Sequence, residues 1–214
     1  MDNRRYRWTD RILMDVQQAM RTLMADPHEP IGAHPDDGIP EPMLAAKEQR
    51  EAARLMRVNH AGEISAQALY QGQALFSRDP RVADILRQAA REEHAHLIWC
   101  QRRLAELKDR PSRLAPFWYL GSLAIGSIAG LAGDRWSLGF VVETENQVID
   151  HIRDHLDRLP STDARSRAIL DQMERDEFHH GDTARRAGAR NLPAPVRWVM
   201  HAVSRVMTRT AYYF

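Results

Sequence analysis

Apolar residues recur at three- and four-residue intervals along most of this chain, and no segment alternates convincingly with period two. The pattern predicts an all-α protein. Residues 8–24 carry Trp8, Ile12, Val16, Met20, Leu23 and Met24 on one stripe, with Thr9 or Asp10 suited to cap the helix. Residues 25–42 then hold five prolines (27, 30, 35, 40 and 42) and read as a linker. This divides the chain into an amphipathic arm with its linker, residues 1–42, and a helical domain, residues 43–214. Within that domain helices are expected over 43–76, 80–108, 136–158 and 162–188. Pro193 and Pro195 precede a final helix running to the C-terminus.

Two of these helices carry the same pattern: Glu92-Glu93-His94-Ala95-His96 and Asp176-Glu177-Phe178-His179-His180. Each reads acid, Glu, any, any, His. Residues three apart share a helix face, so Glu93 with His96, and Glu177 with His180, can each offer an oxygen and a nitrogen to one ion. A Glu-x-x-His on each of two helices, plus one Glu from each of two others, is the ligand set of ferritin-like di-iron carboxylate bundles. The single glutamates have upstream candidates in Glu63 and in Glu143 or Glu145. One Glu-x-x-His alone is common on a charged, solvent-facing helix; two in matching frames, each with an upstream Glu, argue for a site. Oxygen-rich ligands with imidazole suit iron or manganese. Four glutamates against two divalent ions balance formally, which makes burial of so many acids tolerable. Glu92 and Asp176, each beside a motif glutamate, are placed to orient the imidazoles. His94 and His179 point to other faces, and His28 and His34 lie in the linker.

Composition narrows the function classes. The formal net charge of +1 gives no reason to expect nucleic-acid binding. The single cysteine, Cys100, excludes an internal disulfide framework and a cysteine-built metal site. No signal peptide and no nucleotide fingerprint is evident, so electrons for any redox chemistry would come from an external donor or from the substrate.

The stretch Arg57-Val58-Asn59-His60-Ala61-Gly62-Glu63, followed by Ala68-Leu69-Tyr70-Gln71-Gly72-Gln73, resembles the demethoxyubiquinone hydroxylase family of ubiquinone biosynthesis. The resemblance continues through Glu93-His94-Ala95-His96-Leu97, Arg110-Pro111-Ser112, Asp134-Arg135-Trp136-Ser137-Leu138-Gly139-Phe140 and Asp176-Glu177-Phe178-His179-His180, and covers roughly residues 50–214. It implies a ferritin-like four-helix bundle with added membrane-interacting helices. Two iron ions would be held by Glu63, Glu93, His96, Glu145, Glu177 and His180. Glu143 and Glu145 lie about 200° apart round a helix and cannot both face one site. The family's ligand Glu is followed six residues later by a His, as Glu145 is by His151, so Glu145 is preferred. His151 near the iron rests on the resemblance alone. Tyr70 is a candidate donor near the site, though a core tyrosine with a satisfied hydroxyl is the plainer account.

The activity implied is a di-iron monooxygenase that hydroxylates a demethoxyubiquinol with dioxygen, peripheral on the cytoplasmic face of the inner (cell) membrane. A polyprenylated benzoquinol substrate calls for apolar surface. Leu114 to Gly133 is uncharged throughout, but a lone span there would split the ligands across the bilayer, so a re-entrant or interfacial hairpin, or burial in the protein, fits better. In the last helix Val196, Val199, Met200, Val203, Val206 and Met207 form an apolar stripe beside Arg197, His201, Arg205 and Arg209, a pattern suited to a membrane interface or to packing on the bundle or a second subunit. A homo-oligomer or a biosynthetic complex stays open, as do a ferritin-like peroxidase or iron-oxidising protein and a non-catalytic helical adaptor.

Overall fold

The computed structural model describes residues 8–214, with side-chain surroundings from residue 16 onward. The side chains of Trp8, Thr9, Asp10 and Ile12 lie outside the described ones. Seven helices and no strand occur among the described residues: α1 (Trp8–Leu23), α2 (Ala46–Phe76), α3 (Pro80–Glu106), α4 (Ala115–Leu131), α5 (Asp134–Arg158), α6 (Ala164–Arg186) and α7 (Ala194–Tyr213).

Local chemistry sets most boundaries. The Glu48 carboxylate accepts from the Ala45 N–H, 2.8 Å, at the start of α2. Pro80 opens α3 behind Asp79, whose side chain accepts from the Arg81 N–H. Asp163 caps α6 in the same way, through the Ser166 N–H. Asp134, the first residue of α5, accepts from the backbone of Arg78 and Asp79 and from Ser77 Oγ. The α2–α3 turn is thereby tied to the start of α5.

Helices α2, α3, α5 and α6 form a ferritin-like four-helix bundle. Hairpin α2–α3 packs on hairpin α5–α6 through α3 against α6 and α2 against α5. One end of the core is built from Leu55, Met56, Leu104, Ile152, Leu170 and Met173, all fully buried. The other end gathers Tyr70, Leu86, Leu138 and Val141. The metal-ligand candidates lie between these two apolar plugs.

The uncharged segment forms a single helix, α4, laid along α2 rather than a hairpin. Glycines permit the contact: a Cβ on Gly126 would stand 2.2 Å from the Leu69 carbonyl oxygen, and one on Gly72 would stand 2.4 Å from that of Leu123. No helix among the described residues is long and apolar enough to cross a membrane.

The proline-rich stretch after α1 is pinned to the bundle. Arg103, fully buried on α3, donates to Glu41, Glu106, Asp163 and Ser166. Arg165 on α6 binds Asp36, Glu41 and Glu106. A buried guanidinium is tolerable only when its donors are satisfied this fully. Further along, Glu29 meets His94 Nε2 at 3.0 Å, and Gln101 donates to the Ala25 carbonyl. Proline spacing reports a chain that cannot be helical; it does not report these ion pairs. Among the described side chains of residues 16–24, Thr22 is buried and Leu23 packs partly buried on the core, whereas Val16, Met20 and Met24 of the expected stripe face outward.

Candidate metal centre

The two repeated motifs meet face to face across the α3–α6 contact. Ligand atoms of Glu63, Glu93, His96 and Glu177 lie within 4.8 Å of one another, and so do those of Glu93, Glu145, Glu177 and His180. Glu93 and Glu177 belong to both groups; Glu63 and His96 belong to one, Glu145 and His180 to the other. All six side chains are buried. His96 Nδ1 stands 3.1 Å from Glu93 and 3.2 Å from Glu177. His180 Nδ1 stands 3.2 Å from Glu93 and 3.1 Å from Glu177.

The outer nitrogens cross between motifs. His96 Nε2, from the first motif, meets Asp176 of the second at 3.1 Å, while His180 Nε2, from the second, meets Glu92 of the first at 2.6 Å. Each acid therefore steadies the imidazole of the other helix. With the Nε2–H given to a carboxylate, each Nδ1 faces the cluster, where a bound ion would take the place of its proton. Trp99 packs against the His96 ring at 5.0 Å between centroids.

Crowding governs the electrostatics. Burial, with the charge of Glu93, pushes Glu63 well above the usual carboxylate range. Burial, with Glu177 and Glu93, does the same to Glu145. Burial also opposes ionisation of Glu93, but its hydrogen bonds with His180 and His96 outweigh that and hold it well below the range. Burial disfavours the charged form of His180 as well, yet Glu177 and Glu93 push it up to about 12. Four carboxylates this close cannot all stay ionised unless positive charge joins them. Glu63 Oε2 and Glu145 Oε2 are buried without a hydrogen-bond partner. Oxygens of that kind are costly in a dry interior and suited to a cation, so the residues present fit a pair of divalent ions.

Tyr70 is fully buried and its hydroxyl donates to Glu145 Oε1. It is thus both a core tyrosine with a satisfied hydroxyl and a neighbour of the cluster. Glu143 points elsewhere, to Gln147 Nε2 at 3.0 Å and His201 Nε2 at 3.4 Å. His151 is not in either group of ligand atoms; its Nε2 meets Ser204 Oγ of α7 at 3.1 Å. His94 holds Glu29, and His179 is exposed.

Sequence reasoning missed two buried imidazoles outside the cluster. His60, three residues before Glu63 on α2, meets Gln101, and His155 meets Asn59 at 2.8 Å. Helical spacing could have placed His60 on the Glu63 face; nothing local announces His155. Also missed was a cavity of ≈ 260 Å³ between α2, α4, α5 and α7. Its walls are mainly apolar, including Trp118, Ile125, Phe140, Val199 and Met207, with Glu63 among them.

The sequence profile of a family described as "Ubiquinone biosynthesis protein COQ7" matches residues 50–211. A Nitrosococcus oceani protein named 3-demethoxyubiquinol 3-hydroxylase is 52% identical over 213 residues, covering 100% of both chains. Proteins of the same name from Ralstonia pickettii and Dechloromonas aromatica are 61% and 51% identical. The first match spans 79% of this chain and 78% of the relative, the second 96% and 99%.

Proposed function

The chain belongs to the COQ7 family of ubiquinone biosynthesis proteins, and from that premise we propose that it hydroxylates the ring of a demethoxyubiquinol with dioxygen. The observation that carries this reading is the junction of two features: a buried cluster in which Glu93 and Glu177 are shared by two ligand groups, and an apolar cavity with Glu63 of that cluster in its wall.

In this reading Glu63, Glu93, His96, Glu145, Glu177 and His180 would hold two iron ions, with Glu93 and Glu177 common to both groups of ligand atoms. Ferrous ions held there would supply the activation of dioxygen, one atom entering the ring and the other leaving as water, with two electrons from an external donor or the quinol. Asp176 and Glu92 hold the imidazoles by their outer nitrogens. Tyr70 occupies one oxygen of Glu145 and leaves the other for the metal. The apolar side chains around the cavity exclude water from the reacting ring. Residues 43–214 are the catalytic helical domain, preceded by an arm and proline-rich linker over residues 1–42.

A cavity of ≈ 260 Å³ accommodates a ring and the start of a tail, so a polyprenyl chain must leave between α4 and α7. On the same two helices Phe117, Leu120, Ile128 and Leu131 of α4 and Trp198, Val199, Val203 and Val206 of α7 are exposed. Arg197, Arg205 and Arg209 accompany them along α7. Apolar surface with basic residues beside it suits the cytoplasmic face of the cell membrane, entered without spanning.

The test is iron per chain in anaerobically purified protein, followed by oxygen and a demethoxyquinol analogue. About two irons and hydroxylated product are expected. Iron without product would favour a peroxidase or iron-oxidising protein, and no metal after reconstitution would leave a helical adaptor.

A further inference from the structure

A second cleft, of ≈ 790 Å³, opens between α1, α2 and α3 and shares no lining residue with the apolar cavity. Four arginines line it: Arg21 from α1, Arg78 from the α2–α3 turn, and Arg87 and Arg91 one helical turn apart on α3. Among the described residues no Asp or Glu lines it. Gln67 and the buried Tyr70 belong to the same lining. In a chain whose formal net charge is only +1, four guanidinium groups around one concavity make a local field that the composition does not reveal.

Their present partners are weak competitors. Arg87 pairs with Asp84 with both side chains exposed, Arg91 donates to the neutral Gln88, the Arg21–Glu29 pair leaves Arg21 more than half exposed, and Arg78 feels the charge of Asp134, which accepts from its backbone N–H. Exposed ion pairs contribute about 0–1 kcal/mol, whereas a phosphate held by paired guanidinium groups gains charge-assisted, bidentate hydrogen bonds. The volume lies within the roughly 300–1,000 Å³ typical of small-ligand pockets, and concavity favours a small molecule over a protein or a duplex.

We propose that this cleft binds a phosphorylated small molecule. Such a ligand would sit against Tyr70, whose hydroxyl donates to Glu145, on the side of the cluster away from the apolar cavity. The proposal stands on the arginines and the cleft, and is independent of the hydroxylase reading.

Calorimetric titration of the full-length, metal-loaded protein with inorganic pyrophosphate and, separately, ADP tests it. Saturable one-site binding is expected, weakened about tenfold or more in Arg87→Gln/Arg91→Gln. Arg175→Gln/Arg186→Gln, on the exposed face of α6, should bind as the parent does. Tighter binding of ADP would identify a nucleotide as the ligand class; equal binding would mean that the phosphates alone are recognised. No saturation up to roughly 10 mM, or equal weakening in the α6 control, overturns the proposal. So does binding to phosphatidylglycerol vesicles that depends on Arg87 and Arg91 while neither small probe binds. Circular dichroism of each variant separates lost binding from lost fold.

Discussion

The His96 half and the His180 half of the cluster use the same residue types in the same chain order but meet different surroundings. Around His96 the outer acid is Asp176, Trp99 packs on the ring, and Glu63 faces an apolar cavity. Around His180 the outer acid is Glu92, the more exposed of the two, and Glu145 accepts from Tyr70. A duplicated ligand pattern thus serves two purposes. One half borders an apolar cavity, and the other is backed by a hydroxyl and, beyond it, an arginine-lined cleft. The shared carboxylates Glu93 and Glu177 are what make the halves one unit.

The comparison can be broken most severely at those shared carboxylates. Glu93→Ala or Glu177→Ala should lower metal content from about two ions per chain to near zero and abolish hydroxylation. Retention of one ion, measured by elemental analysis, would mean that the altered residue serves a single half.

Acid should act next most strongly, through two buried imidazoles outside the cluster. Burial lowers His60 and His155 from the ordinary 6.5 to about 4. Below pH 6.5 the unfolded chain takes up these protons before the folded one does. Stability is therefore full above 6.5 and lost progressively as pH falls to about 4, by roughly 3 kcal/mol per imidazole. Denaturant unfolding of His60→Gln across that window should be less acid-sensitive than that of the parent; parallel curves would contradict the assignment.

The outer acids separate the halves more gently. Loss of such a partner typically costs 10–100-fold in metal affinity, so Asp176→Asn is expected at roughly the upper end and Glu92→Gln nearer the lower, since water already reaches Glu92. A reversed order in competitive chelation would mean that exposure does not set the strength of these contacts. Tyr70→Phe acts on stability rather than on metal content, removing one hydrogen bond from Glu145 at about 1–3 kcal/mol. The Glu63 half should keep its metal affinity, and an equal loss in both halves would refute their distinction.

How much of this was legible can be judged residue by residue. Glu93 with His96, and Glu177 with His180, were readable because three-residue spacing on one helix is a local property. The preference for Glu145 over Glu143 came from the resemblance, and the two carboxylates do face different neighbours. Tyr70 could be named but not aimed, because its partner is 75 residues away on α5. Residues 25–42 read as a linker because their proline content forbids helix; their ion pairs with Arg103 and Arg165 depend on which bundle surface the segment crosses. The apolar segment's seat on α2 required glycines of two helices to coincide, and neither helix alone carries that information.

By itself the sequence determined what short range controls: helical periodicity, caps, the Glu-x-x-His pairs and the repeated order of acids that a metal would need. Tertiary structure alone decided which acid reaches which imidazole, which half borders a cavity, and where four arginines gather. Those outcomes depend on the rotation and crossing of packed helices. There a turn of a fraction of a helix repeat exchanges one neighbour for another while the local pattern stays the same.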